Sequence, residues 1–177
     1  MERSHLPRLD DGAYCGRSYV HWSFTMKDRK TGWLDAEFHQ EFREILLHAL
    51  GRYQAVCPVY CLMKDHLHMV LIGWDVFCNQ KNLIRFLRRQ TNCYLAGEGF
   101  AWQKQPFDNV IREKDRPRDA FPKVVGYVLE NPVRAGLVER WECWPFCDSM
   151  IPGYPEIRLR DDDFWERFWR VYYSRSL

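Results

Sequence analysis

The chain has 177 residues, of which 46% are hydrophobic and 28% charged, and its formal net charge at pH 7 is +2. This length is sufficient for one domain with a core of its own. A net charge this small does not by itself indicate a nucleic-acid partner, because the distribution of charge matters more than its total. The sequence contains no apolar run long enough to cross a bilayer, and the N-terminus lacks the apolar core of a signal peptide. We therefore expect no membrane partner and a cytoplasmic location.

Periodicity and capping signals predict strands and helices in the order β-α-β-β-α-β-α, followed by a C-terminal helix. The predicted segments are 19–26, 35–50, 54–63, 66–72, 76–95, 109–112, 119–130 and 161–173. Asp35 and Asp119 are the predicted caps of their helices, and Pro58 indicates an edge or a bulge in the second strand. This order is close to the ferredoxin-like pattern, an α+β fold whose antiparallel sheet has helices packed on one face. We predict an N-terminal arm at 1–18, one domain at 19–144, and a C-terminal loop and aromatic helix at 145–177 that pack on the same domain.

His66 and His68 lie two residues apart at the start of a predicted strand. Side chains at i and i+2 of a strand point to the same face, with Cα atoms about 6.6 Å apart. Neutral imidazole is the commonest protein ligand for divalent metal ions. Two partly exposed histidines without a metal are the alternative. The pattern predicts a metal site on His66 and His68.

The helix predicted after that strand carries cationic side chains on one face, and the sequence has no Asp or Glu between Asp75 and Glu98. Such a face is a candidate for contact with phosphates, although an ordinary solvated face has the same composition. Trp102 and Phe107 lie among further cations and could stack bases, or pack in the core. The candidate DNA contacts are Lys81, Arg85, Arg88, Arg89, Lys104, Arg112 and Arg134.

The segment from Tyr127 to Val138 reads Tyr-Val-Leu-Glu-Asn-Pro-Val-Arg-Ala-Gly-Leu-Val and predicts the end of a helix. Asn131-Pro132 disfavours continuation of the helix, and Gly136 permits a tight turn. Arg134 could reach a phosphate or lie on the surface.

Four motifs in order resemble the REP-associated tyrosine transposases, which are relatives of the IS200/IS605-like single-strand transposases. The resemblance covers about residues 19 to 144. The motifs are Met63-Lys-Asp-His-Leu-His68, Trp102-Gln-Lys-Gln, Val110-Ile-Arg-Glu and Tyr127-Val-Leu-Glu-Asn-Pro-Val-Arg-Ala-Gly-Leu-Val.

The resemblance implies a metal-dependent DNA strand endonuclease and strand transferase with a His-hydrophobic-His (HUH) motif. In this family the histidine pair holds Mg²⁺ or Mn²⁺, and a tyrosine attacks the phosphorus to leave a 5′-phosphotyrosine and a free 3′-OH. The implied partner is single-stranded or hairpin DNA, and the family favours a monomer over a dimer.

This chain departs from the family pattern after Trp102-Gln103. Phe107 stands where the nucleophilic tyrosine is expected, and Asn109 stands where a further metal-ligating histidine is expected. Phenylalanine has no hydroxyl, whereas Asn109 can still offer a carbonyl oxygen to a metal. Tyr94 and Tyr127 are the substitute nucleophiles, although Tyr127 fits a helix packing position better. The alternatives to an active transposase are a non-catalytic, regulatory DNA-binding descendant and an adaptor that binds a protein through its C-terminal helix.

Overall fold

A computed structural model describes residues 9–112 and 119–175. Its five strands are β1 (Tyr19–Thr25), β2 (Ala55–Leu62), β3 (His66–Gly73), β4 (Phe107–Val110) and β5 (Cys147–Met150). Its α-helices are α1 (Ala36–Tyr53), α2 (Gln80–Ala96), α3 (Ala120–Leu129), α4 (Asn131–Arg134) and α5 (Phe164–Ser174). None of the described helices is long and apolar enough to cross a membrane.

The strands form one antiparallel sheet in the order β4-β1-β3-β2-β5. Its first four strands have the ferredoxin-like order, so the predicted α+β fold class is confirmed. The pairing of β2 with both neighbours shifts register around Pro58, where a bulge is one expectation from the sequence. β5 adds a fifth strand that the sequence does not predict, because its four residues include the polar pair Asp148-Ser149.

The two helices of the ferredoxin-like unit, α1 and α2, cover one face of the sheet. The side chain of Asp35 accepts a hydrogen bond from the backbone N–H of Phe38 at 2.8 Å, as the predicted cap requires. Asn79 caps α2 in the same way through Asn82, so this helix begins four residues later than predicted. The core of this face includes Trp22 and Phe42, both fully buried.

The opposite face is covered by α3 and α5, so helices lie on both sides of the sheet. Val125 and Val128 of α3 and Phe164 and Phe168 of α5 are buried in a second cluster. Asp119 precedes α3 with a φ of 60°, and its side chain makes no capping bond, so the predicted cap is wrong there. This second face carries the residues of the candidate site.

The described part of the predicted arm, residues 9–18, packs against the domain. Tyr14 is completely buried, and its hydroxyl donates to Asp108 Oδ2 at 2.5 Å. The arm is therefore anchored next to β4. Residues 1–8 lie outside the described residues.

Candidate active site

His66 and His68 lie on β3, and both point to the α3 side of the sheet. In the register of the sheet, His68 pairs with Ser23 of β1. The ring centroids of His66 and His68 are 4.8 Å apart. His68 is 7% exposed, while His66 is half-buried. The strand thus brings both imidazoles together at one end of the second face.

Each imidazole is held by a partner on its Nδ1 atom. His66 Nδ1 lies 2.6 Å from Asp65 Oδ1, and Arg29 donates to the other carboxylate oxygen of Asp65 at 2.9 Å. His68 Nδ1 lies 3.0 Å from Nε2 of His21 on β1. Histidines that ligate metals are commonly oriented through their second ring nitrogen. The contacts on Nδ1 therefore leave the Nε2 atoms of both histidines for a ligand.

The protonation states of His68, His21 and Asp65 are compatible with ligand binding by the histidines. Burial lowers the pKa of His21 to about 4. Burial, with smaller effects from His21, His66 and Arg134, lowers the pKa of His68 to about 3. Partial burial would raise the pKa of Asp65, but His66 and Arg29 outweigh it and hold the pKa below its usual value. At neutral pH His68 and His21 are therefore neutral and Asp65 is ionised.

Tyr127 on α3 faces this pair of histidines. Its ring centroid is 5.4 Å from that of His68 and 5.8 Å from that of His21, with nearly perpendicular planes in both pairs. Tyr127 is 43% exposed, so part of the residue is open to solvent. Tyr127 is thus both in contact with the histidines and accessible to a ligand.

Two residues of α4, Asn131 and Arg134, hold Tyr127 near the end of α3. Asn131 is buried and donates through Nδ2 to the carbonyl of Tyr127 at 2.9 Å. The guanidinium carbon of Arg134 lies 4.2 Å from the ring centroid of Tyr127, and Arg134 Nη2 donates to Oδ1 of Asn131 at 3.2 Å. The Asn-Pro motif therefore both ends α3 and supports the tyrosine that faces the histidines.

No protein-family model matches the sequence. A Haemophilus influenzae protein described as "Putative REP-associated tyrosine transposase" is 22% identical over 166 aligned residues, which cover 80% of this chain and 91% of that protein. The fold matches the structure of a REP-associated tyrosine transposase bound to a REP hairpin, with a TM-score of 0.67 and 17% identity over 99% of this chain and 91% of that one. The predicted resemblance to the REP-associated tyrosine transposases is confirmed.

Phe107 and Asn109, the positions where the family pattern predicts the nucleophile and a further ligand, lie apart from the histidine pair. Phe107 and Asn109 lie on β4, opposite Ser23 and His21 of β1. They share the face of the histidine pair but are separated from β3 by β1, a distance of about 10 Å between backbones. The structure does not bring Asn109 together with His66 and His68, whereas it brings Tyr127 into contact with His68.

Tyr94, the other substitute nucleophile, lies on α2, on the far side of the sheet. Its hydroxyl donates to Glu37 of α1 at 3.1 Å. Its ring packs against Phe38. The sheet separates this hydroxyl from His66 and His68.

His66 and His68 together offer two imidazole nitrogens, which are fewer ligands than a divalent cation takes. Within residues 9–112 and 119–175, no group of three or more His, Cys, Asp or Glu side chains is arranged to hold a metal ion. Two imidazoles therefore need oxygen ligands from an amide, water or the DNA itself, and such oxygens suit both Mg²⁺ and Mn²⁺.

The predicted basic face of α2 divides into two flanks. Lys81, Arg85 and Arg88 lie on the flank near β4: Lys81 pairs with Asp11 at 2.5 Å, and Arg88 donates to the carbonyls of Gln103 and Lys104. Arg89 lies on the flank near α1, over the ring of Phe86. Lys104 precedes β4 in the chain and Arg112 follows it, and both are exposed. A row of cations therefore runs along the β4 edge, and Arg89 is not part of it.

Of Trp102 and Phe107, which could either stack bases or pack in the core, Phe107 alone is accessible. Trp102 is 4% exposed, and its Nε1 donates to Thr91 Oγ1 at 2.9 Å. Phe107 is 52% exposed. Trp102 is therefore a core residue, while Phe107 offers a ring to a ligand on the site's own face of the sheet.

Proposed function

We propose that this protein binds hairpin-containing single-stranded DNA and cleaves and rejoins the strand, with Tyr127 as the nucleophile and His66 and His68 as metal ligands. The observation that carries the proposal is the contact between Tyr127 and His68. A nucleophile for DNA must lie beside the groups that stabilise the phosphate. Of Phe107, Tyr94 and Tyr127, Tyr127 alone combines a hydroxyl with contact to His68.

In the proposed reaction, Oη of Tyr127 attacks the phosphorus, and the bond to the 3′-oxygen breaks. The products are a 5′-phosphotyrosine and a free 3′-OH. The phenol loses one proton and the leaving oxygen gains one, so the step is balanced. The covalent bond retains the energy of the phosphodiester, so attack by another 3′-OH can rejoin the strand without ATP.

The other residues of the site orient these groups. Asp65 and His21 hold the imidazoles of His66 and His68 with Nε2 available for ligation. Arg134 packs on the ring of Tyr127 and adds positive charge where the phosphate would lie. A bound Mn²⁺ or Mg²⁺ supplies Lewis-acid stabilisation of the charge that develops on the phosphoryl oxygens.

The DNA would cross the open part of the second face and the β4 edge. Phe107 and Asn109 are exposed on that face. The cations Lys81, Arg85 and Lys104 lie along the adjoining β4 edge of the sheet. Exposed aromatic rings combined with cations are typical of single-strand binding surfaces. A hairpin held at this edge would place its unpaired foot over His21 and His68.

The proposal is tested by incubating the protein and Mn²⁺ with labelled hairpin DNA that carries single-stranded tails. A denaturing gel then separates cleaved DNA from covalent protein–DNA adducts. We expect an adduct from the wild type, loss of the adduct in Tyr127→Phe, and retention in Tyr94→Phe, the matched control on the other face.

Three results would contradict the proposal. An adduct that persists in Tyr127→Phe would assign the nucleophile to another residue. Hairpin binding by the wild type without any adduct would favour the non-catalytic DNA-binding descendant, and absence of DNA binding would favour the adaptor.

A further inference from the structure

A groove of about 1080 Å³ lies between α3 and α5 and takes no part in the proposed chemistry. We refer to it as the α3–α5 groove. Its walls include Phe121 from α3 and Tyr19 from β1, and Arg17 lies at its rim. Among the described residues that line it, none is acidic. Aromatic rings at an open groove are a stacking surface for the bases of a nucleic acid strand.

Three aromatic rings of α5 form a ladder along this groove. Trp165 and Trp169 are stacked with centroids 6.5 Å apart, and Trp169 and Tyr173 are stacked at 5.8 Å. Successive rings are four residues apart, so they lie one helical turn from each other on one face. Tyr173 is 61% exposed. The buried stripe of α5 is a different one, formed by Phe164, Phe168 and Tyr172. Trp165 and Trp169 are partly buried against that core.

The groove is continuous with the candidate active site. Gly126 lines the groove and is followed directly by Tyr127. Tyr19 lines it as well and lies on the same strand face as His21, with Cα atoms about 6.6 Å apart. A strand that leaves the site along β1 and α3 therefore enters the groove.

We infer that the α3–α5 groove binds unpaired nucleotides that flank the scissile phosphate, with bases stacked on the ladder of Trp165, Trp169 and Tyr173. This inference rests on the proposed function, because it takes the strand at Tyr127 as its ligand. Stacking on aromatic rings tolerates any base, since every base has a π-face.

The test measures how far the bases of the tail contribute to binding. The protein is tested without metal ion, so that binding is measured in the absence of cleavage. Two hairpins are compared that have the same phosphates: one carries a normal single-stranded tail, and the other carries abasic sites in that tail. For the wild type we expect the abasic tail to weaken binding by about tenfold per stacked base.

The same two hairpins are then compared in variants, to determine whether the loss of affinity caused by abasic sites depends on the groove. In Tyr173→Ala, whose side chain is largely exposed, we expect the penalty to shrink, and Trp165→Leu provides a second, independent variant. Tyr53→Ala, at the end of α1 on the other face of the sheet, is the matched control and should keep the full penalty. Circular dichroism of each variant identifies any that do not fold.

The result that would overturn the inference is an unchanged abasic penalty in both groove variants, or no penalty in the wild type. If the wild type still forms its adduct through Tyr127 in the presence of Mn²⁺, the proposed function stands while the groove inference fails. If no adduct forms, the proposed function fails, and the penalty alone decides whether the groove binds unpaired DNA.

Discussion

Tyr127 lies against His68, with ring centroids 5.4 Å apart and planes at 78°. The two residues are distant in the chain and come from opposite layers of the fold, a helix and the sheet beneath it. The contact exists because α3 packs on the face of β3 that carries the histidine pair. It places a tyrosine beside two candidate metal ligands in a chain whose expected nucleophile position holds phenylalanine.

The histidine pair should be required for metal binding. We expect His66→Ala combined with His68→Ala to abolish Mn²⁺ binding, because the remaining oxygen donors give too few ligands. Titration calorimetry measures the uptake, and His48→Ala, an exposed histidine on α1, is the control. Equal uptake by the wild type and the double variant would show that the pair does not hold the metal.

Asp65 should support metal binding without ligating the metal. Asp65→Asn removes the anion that orients His66, and loss of such a partner typically weakens metal affinity by about 10- to 100-fold. The matched control is Asp28→Asn, an exposed aspartate in the turn after β1. If Asp65→Asn bound Mn²⁺ as tightly as the wild type, the orientation of His66 would not depend on this carboxylate.

The β4 edge should carry the electrostatic part of DNA binding. Each phosphate that a cationic side chain neutralises adds about 0.7 to 0.9 to the slope of log affinity against log salt. We therefore expect Arg85→Gln with Lys104→Gln to reduce the steepness of this slope by between one and two units. Arg88 is left unchanged, because it holds the loop carbonyls of Gln103 and Lys104.

The control for that measurement is Arg52→Gln with Arg89→Gln. Both of these cations lie near Phe86, on the flank of α2 that faces α1, and their replacement should leave the salt slope unchanged. A shallower slope in the control pair instead of the test pair would indicate that DNA binds on the flank of α2 that faces α1.

Phe107 should contribute by stacking and not by chemistry. Phe107→Ala is expected to weaken the binding of single-stranded DNA by about 1 to 3 kcal/mol for one stacked base. The thermal stability should hardly change, because the side chain is 52% exposed. Phe77→Ala, an 87% exposed aromatic residue in the loop after β3, provides the comparison in a filter-binding assay. Full affinity in Phe107→Ala would exclude this ring from the interface.

Local patterns predict most of the fold. Alternation identifies β1 and β3, capping by Asp35 identifies α1, and the order of elements identifies the ferredoxin-like sheet. β4 lies two residues earlier than predicted, because its short run of four residues has little pattern of its own. The covering of the second face by α3 cannot be predicted, since its amphipathic pattern fits either side of the sheet.

The residue that faces the histidines cannot be predicted for the same reason. Distance along the chain from Trp102-Gln103 selects Phe107, whereas distance in space to His68 depends on how α3 packs. The sequence indicates that Tyr127 is a helix packing residue, and it does pack, but its packing partners are the histidines. The charged neighbours of Trp102 suggest base stacking, while its indole is directed into the core beside Thr91.

The most direct test of the proposed chemistry is to map the covalent adduct by mass spectrometry. The wild-type protein is reacted with hairpin-tailed DNA and Mn²⁺, digested with nuclease and protease, and searched for a peptide that carries a nucleotide. We predict a single modified peptide, with the phosphate bonded to Tyr127. A nucleotide on any other tyrosine, or a wild-type protein that cleaves DNA without forming an adduct, would contradict the assignment of Tyr127 as the nucleophile.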